Sequence, residues 1–374
     1  MHIVQLANFY GPRSGGLRTA VDQLAARYGD RGHRVTTIVP APTSGVRSEG
    51  TRTIVSVRAP IAPFLGGDYR LILDRATVDD VIRRCAPDVI ELSDKTTLVA
   101  PAARARRTGA RVVLVSHERL DQVIARTTGC RAASRFVHRH NRRLLDRVDD
   151  VVCASRFAAD ELARHGRPIH HVPLGVELDR FVPGRTPLRA RPRIVVAVRL
   201  SPEKSPGLLV DTSRALLEQG CDHEMVVYGD GPLRPRLERA ARGLPVRFAG
   251  FLADRRALAG EMASADVGIA PGPLETFGLA ALELLASGTP VVVPREGALA
   301  EIADGSAAVA ADRTPTEFAR AVGSLLGGER DARRRAARSL AEAYTWDRTA
   351  DAMLAIFAAD GRSREAAGQG RSYL

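Results

Sequence analysis

The chain has 374 residues, 45% hydrophobic and 26% charged, a globular composition too long for one ordinary core, so two domains are expected. The formal net charge of +12 suits nucleic acid, an anionic membrane surface, a phosphorylated ligand or simply an Arg-rich enzyme surface. No zinc-finger, helix-turn-helix or aromatic RNA-binding signature is present, which argues against nucleic acid.

In chain order, HIVQLAN is a short apolar strand followed by the Gly-rich turn GPRSGG. The spacing of Leu17, Val21, Leu24 and Tyr28 predicts a helix, and HRVTTIVP returns as a strand. DVIELS, RVVLVSHE and DDVVCAS repeat the strand pattern, each after a helix-like stretch. Arg135–Arg147 carries Arg139, Arg142, Arg143 and Arg147 beside Phe136, His140, Leu144 and Val148. That is either a basic amphipathic helix for an anionic membrane or a helix packed on its own domain. Strands alternating with helices predict a parallel, doubly wound sheet over residues 1–174.

Residues 175–193 are rich in Pro and Arg, have no sustained period and read as a linker. The rhythm restarts over 194–345 with RIVVAVRL, EMVVYGDG, VRFAGFL, ADVGIAP and TPVVVP, a second doubly wound unit. A helix over 346–360, carrying Trp346, Met353, Ile356 and Phe357, precedes a polar tail over 361–374 expected to be disordered. Two such domains place a ligand cleft between the C-terminal ends of their strands. No apolar run is long enough to span a membrane and no signal peptide is read, so a cytoplasmic protein is expected. Cys85, Cys130, Cys153 and Cys221 show no CxxC pairing, which suits free thiols rather than disulfides or a metal site.

The segment PGPLETFGLAALELL carries the chemistry. Gly278 begins a helix, so the amides of Gly278 and Leu279 are free to bind an anion. Glu283 lies one turn further on the same face, where ribose hydroxyls fit its carboxylate, and Glu275 projects toward the other end of the anion. A Glu283 buried without a partner would be costly. Arg199 at a strand end and Lys204 five residues on supply cations for a diphosphate. Gly15 and Gly16 before the first helix are a further phosphate-facing feature, and Gly229 in YGDGPL is a wall for the nucleotide. His117 follows a strand directly at the same edge; a structural histidine is its commoner role. There is no D-x-D pair, metal-ligand cluster, G-x-S-x-G or P-loop.

These motifs resemble the E-x7-E signature of retaining family 4 glycosyltransferases, here ETFGLAALE, with RL, EK, GDGP, ASGTPVV and VPLGVELDRF in the family's order. VQLANFYGPRSGGLRTAVD and SHERLD are similar to actinobacterial GDP-mannose-dependent phosphatidylinositol mannosyltransferases. The resemblance implies an α/β GT-B fold, two Rossmann-like domains facing each other across a cleft, with the terminal helix crossing back to the first. It assigns Glu275 to hydroxyls of the donor sugar and Glu283 to the ribose. Arg199 and Lys204 would neutralise the diphosphate, aided by Gly16 and the amides of Phe277 to Leu279, and His117 would contact the sugar on the acceptor side. The chain departs from the family in having Pro-Leu-Gly at Pro173–Gly175 where many members have Asn-Gly.

Expected from this is a metal-independent, retaining hexosyltransferase that needs no cofactor. Its donor would be GDP-mannose or a UDP-sugar. Its acceptor would be a lipid-linked phosphatidylinositol mannoside, reached from the inner face of the plasma membrane, or a soluble glycoside. An epimerase or hydrolase would require an acid/base constellation that the motifs do not supply. A non-catalytic nucleotide-sugar binding module is disfavoured because both halves of the cleft carry phosphate-directed features.

Overall fold

The computed structural model describes residues 1–11, 14–62, 69–122, 124, 131–184 and 189–359, without the side chains of 131–134. The tail expected at 361–374 and Cys130 lie outside these residues. Cys153 is buried and Cys85 and Cys221 are half-buried, all three as free thiols.

The apolar runs at the strand positions are long enough to be buried on both faces, which parallel sheets require. The first sheet contains β1 (His2–Leu6), β2 (Arg34–Ala41), β3 (Gly45–Glu49), β4 (Arg52–Arg58), β5 (Val89–Leu92), β6 (Arg111–Ser116), β7 (Asp150–Cys153) and β8 (His170–His171). Their order is β3-β4-β2-β1-β5-β6-β7-β8, and only the β3–β4 pair is antiparallel. The second holds β9 (Arg193–Ala197), β10 (Glu224–Tyr228), β11 (Val246–Gly250), β12 (Val267–Ile269), β13 (Val291–Pro294) and β14 (Ala308–Ala311). It is wholly parallel, in the order β11-β10-β9-β12-β13-β14. In each sheet the order reverses next to the first strand, so a crevice opens at the strands' C-terminal ends.

The β3–β4 hairpin is not visible as hydrophobic periodicity because β3 is exposed along its whole length. The basic helix, Arg131–Leu145, buries Val137, Leu144 and Leu145. Phe136, of the same apolar set, stands 71% exposed. Among the described residues no helix is long and apolar enough to cross a membrane.

The segment after β8 is tied down on both sides. Phe181 is fully buried, and the Arg338 guanidinium donates to the carbonyls of Leu178 (3.1 Å) and Phe181 (2.9 Å). The terminal helix Trp346–Ala358 begins at Thr345, whose side chain caps the Arg348 amide, and it runs back onto the first domain. Phe357 meets the Tyr28 ring at 5.7 Å, Thr349 donates to the Pro173 carbonyl at 2.8 Å, and Arg31 binds Asp351 at 2.7 Å. The backbone of Trp346 lies against Gly175, so the residue ending Pro-Leu-Gly packs under the start of this helix.

Beneath the first helix, Gly15–Asp30, the sheet carries a buried polar layer. Tyr28 Oη (2.8 Å) and Gln5 Nε2 (3.0 Å) donate to Glu91, Thr37 Oγ1 donates to Gln5, and Arg52 Nε donates to Thr37. Burial lifts the Glu91 carboxyl from its ordinary 4.5 to about 7, against the two donors that favour its charged form. The folded protein therefore holds a proton that the unfolded chain releases above pH 4.5. This contribution is present below that pH and is lost as pH rises through about 7. Thermal midpoints of wild type and Glu91→Gln measured from pH 4.5 to 7.5 should diverge, the wild type losing ground as pH rises. Parallel curves would show that Glu91 stays ionised in the fold.

Candidate active site

On the first domain's side, β1 runs into the loop that reaches Gly15 and Gly16, both exposed at the start of the first helix. A Cβ on Gly16 would lie 3.5 Å from Leu279 Cδ1, so this helix start faces the start of helix Leu279–Ala286 in the other domain. Two helix N-termini thus point into one cleft, each with orphan amides and the positive end of its dipole.

His117 is half-buried just beyond β6, with Nε2 3.0 Å from Ser93 Oγ. Desolvation, and then the nearby Lys95 ammonium, lower its pKa to about 4, so the imidazole is neutral at physiological pH. The loop bearing it is clamped. Lys95 Nζ donates to the Glu118 carbonyl at 2.6 Å and to the fully buried Glu161 at 2.7 Å, and Asn141 donates to the other Glu161 oxygen at 3.0 Å.

On the second domain's side, Arg199 follows β9 and Lys204 ends the short 3-10 turn Pro202–Lys204. The segment holding Arg199 is bonded to the loop after β10, through the Val198 amide to Tyr228 O (2.9 Å) and the Leu200 amide to Asp230 O (3.0 Å). Gly229 sits in that loop at φ 137°, and a Cβ there would run into the Val198 carbonyl. Gly229 thus seats the Arg199 segment from behind. Burial lowers the Arg199 pKa, and Glu203 and Glu275 oppose the shift.

Glu275 lies in the turn between β12 and the helix, and its Oε1 accepts from Lys204 Nζ at 2.7 Å. Gly278 takes φ 97°, and a side chain there would strike Leu299. The amides of Phe277, Gly278 and Leu279 donate to no acceptor among the described residues. Phe277 is buried, its ring 6.0 Å from Tyr344. Thr276 stitches the turn to the first domain, donating from Oγ1 to the His117 carbonyl and accepting at its own carbonyl from Ser155 Oγ, both at 2.6 Å.

Glu283 is 7% exposed, but it is not alone. Arg255 Nη2 donates to its Oε1 at 2.8 Å and to Glu177 at 2.6 Å. The premise that Glu283 would be buried without a partner is therefore corrected, because an arginine from another helix neutralises it. Burial still raises its pKa, with Arg255 opposing. Its Oε2 accepts no bond among the described residues, which leaves that oxygen for a ligand hydroxyl.

The fold thus brings Lys204 to Glu275, Gly16 to Leu279, and His117 to Thr276, all around one cleft. It sets Gly229 behind Arg199 and pairs Glu283 with Arg255. Sequence reasoning missed Tyr69, which engages Arg199, and Arg255, which holds Glu283. Neither lies within a motif, and each reaches its partner from a distant part of the chain.

Two family models match the chain, one described as Glycosyltransferase Family 4 over residues 14–180 and one as Glycosyl transferases group 1 over 191–327. The chain is similar to the GDP-mannose-dependent alpha-(1-6)-phosphatidylinositol dimannoside mannosyltransferase of Mycobacterium tuberculosis, 46% identical over 373 residues and 96% of each chain. It is similar to the GDP-mannose-dependent alpha-mannosyltransferase of Mycolicibacterium smegmatis, 30% identical over 313 residues, 79% of this chain and 80% of that one. In fold it is similar to sucrose-phosphate synthase from Thermosynechococcus elongatus, with TM-score 0.79 and 18% identity over 98% of this chain and 100% of the other.

Removing Arg255 strands a buried carboxylate, so Arg255→Ala should lower stability by about 1–3 kcal/mol. Adding Glu283→Gln removes the stranded charge and should recover most of that loss in thermal denaturation. Additive losses in the double variant would mean that the two side chains act separately.

Proposed function

Since the chain belongs to glycosyltransferase family 4 and is a glycosyltransferase of the GT-B fold, we propose that it transfers mannose from GDP-mannose to a phosphatidylinositol mannoside-like lipid acceptor. What supports this donor and acceptor is the 46% identity to the M. tuberculosis mannosyltransferase across 96% of both chains. The observation that carries the chemistry is the cluster of Arg199, Lys204 and the free amides of Phe277 to Leu279 around one turn.

In this reading the diphosphate lies against the two facing helix starts, with Arg199 and Lys204 supplying the positive charge that a metal supplies elsewhere. Among the described residues no group of three or more His, Cys, Asp and Glu side chains is arranged to hold a metal ion. Glu275, held by Lys204, accepts from sugar hydroxyls, and the open oxygen of Glu283 accepts from the ribose. Neutral His117 meets the sugar from the acceptor side.

Transfer then proceeds with retention, by attack from the face the diphosphate leaves. The acceptor oxygen bonds to the anomeric carbon, the bond to the phosphate oxygen breaks, and the acceptor proton passes to that oxygen. The protein acts by holding donor and acceptor together and stabilising charge on the leaving group.

The exposed face of helix Arg131–Leu145, with Arg135, Arg139, Arg142 and Arg143 around Phe136, suits an anionic bilayer. Each well-placed cation contributes on the order of 1 kcal/mol there. A cytoplasmic protein bound peripherally at the inner membrane face follows from this reading. A soluble glycoside acceptor is the second reading, favoured if this helix serves only its own domain.

The test is release of GDP from GDP-mannose, with the lipid acceptor in anionic vesicles or a soluble mannoside, at low and high salt. Acceptor-dependent release that is strongest on anionic vesicles at low salt, and unchanged by EDTA, is expected. Arg199→Ala and Lys204→Ala should each lower turnover about a hundredfold or more. Strict dependence on added metal, near wild-type kinetics in both variants, or turnover with UDP-sugars only would overturn the corresponding part. Equal rates on soluble and vesicle acceptors would select the soluble reading.

A further inference from the structure

Both cations assigned to the diphosphate are engaged by protein groups, but in different ways. Lys204 holds a carboxylate of its own domain, Glu275, at 2.7 Å. Arg199 instead reaches the other domain. Its Cζ lies over the Tyr69 ring at 4.8 Å from the centroid, and its Nη2 donates to the Tyr69 hydroxyl.

Tyr69 is itself braced. Its carbonyl accepts from the Ala62 amide at 2.7 Å, and its ring meets Phe9 edge-on at 6.1 Å. Phe9 stands at φ 59°, a left-handed conformation that side chains rarely adopt. The strain is held by its neighbours. Ser14 Oγ donates to the Phe9 carbonyl, and next door Asn8 Oδ1 accepts from the Ile72 amide at 2.9 Å. The loop after β1 and the segment ending at Ile72 are thus fastened together, and Tyr69 projects from them toward Arg199.

We propose that Tyr69 is a positioning residue for the donor: it reaches across the cleft and keeps the Arg199 guanidinium aimed at the diphosphate site. This rests on the donor reading above. A phenol suits the task because it is neutral. A carboxylate in its place would bind the guanidinium more tightly and compete with the diphosphate. When the diphosphate arrives, the hydroxyl yields its bond while the ring face retains the cation, and no buried charge is left unpaired.

The test is a double-mutant cycle read by calorimetric titration of guanosine diphosphate and by the KM for GDP-mannose. Tyr69→Ala should weaken diphosphate binding about three- to tenfold in the wild-type background, the range of a partly desolvated cation–aromatic contact. In the Arg199→Ala background the same change should cost almost nothing. Tyr69→Phe, which keeps the ring and its packing on Phe9, should recover most of the affinity. An equal cost in both backgrounds, or diphosphate affinity untouched by Tyr69→Ala, would overturn the proposal. A wild type that binds neither guanosine nor uridine diphosphate would instead remove the donor reading itself.

Discussion

The cleft depends on four consecutive residues, Thr276 to Leu279, that touch both domains. Thr276 is hydrogen-bonded to His117 and Ser155 of the first domain, Phe277 packs on Tyr344, Gly278 leaves room for Leu299, and Leu279 faces Gly16. Each contact removes one freedom from the turn. Together they fix the direction of three amides that have no acceptor among the described residues. An anion-binding helix start is common; one locked against the strand ends of a second domain is what makes a two-sided site. The terminal helix completes the arrangement from outside, since its contacts with Tyr28, Pro173 and Arg31 hold the first domain at the distance Thr276 requires.

Charge is placed with the same economy. The charged side chains proposed to meet the donor each have a protein partner: Lys204 has Glu275, Arg199 has Tyr69, and Glu283 has Arg255. These contacts satisfy groups that would otherwise be desolvated and unpaired. They also hold each group in orientation before a ligand arrives, which reduces the reorganisation that binding must offset. Glu283 illustrates both. Its burial has a sufficient cause in Arg255, and its second oxygen keeps the capacity to accept.

Much of this was legible in the sequence. The apolar runs located the strands with parallel partners, because two-sided burial leaves a hydrophobic signature. The residues directly after those runs, His117, Arg199 and the Glu275 turn, had to reach the crevice once the sheets were parallel. What escaped was pairing across long separations. The edge strand β3 is polar, so it left no pattern. Arg255 and Tyr69 look like ordinary surface residues until the fold brings them to Glu283 and Arg199. For helix Arg131–Leu145, helical spacing fixes which residues share a face but not which face the domain covers, so the exposure of Phe136 beside buried Leu144 was not legible.

The central claim is that the donor lies along helix Leu279–Ala286 with its sugar at Glu275 and its ribose at Glu283. Steady-state kinetics of Glu275→Gln and Glu283→Gln, with calorimetric titration of guanosine diphosphate into each, test it most directly. The ribose changes little between ground and transition state, so Glu283→Gln should raise the donor KM and weaken diphosphate binding while sparing turnover. Glu275→Gln should cut turnover strongly and leave diphosphate affinity nearly unchanged, because that ligand carries no sugar. Loss of diphosphate affinity in Glu275→Gln with none in Glu283→Gln would contradict the account and reverse the donor on the helix.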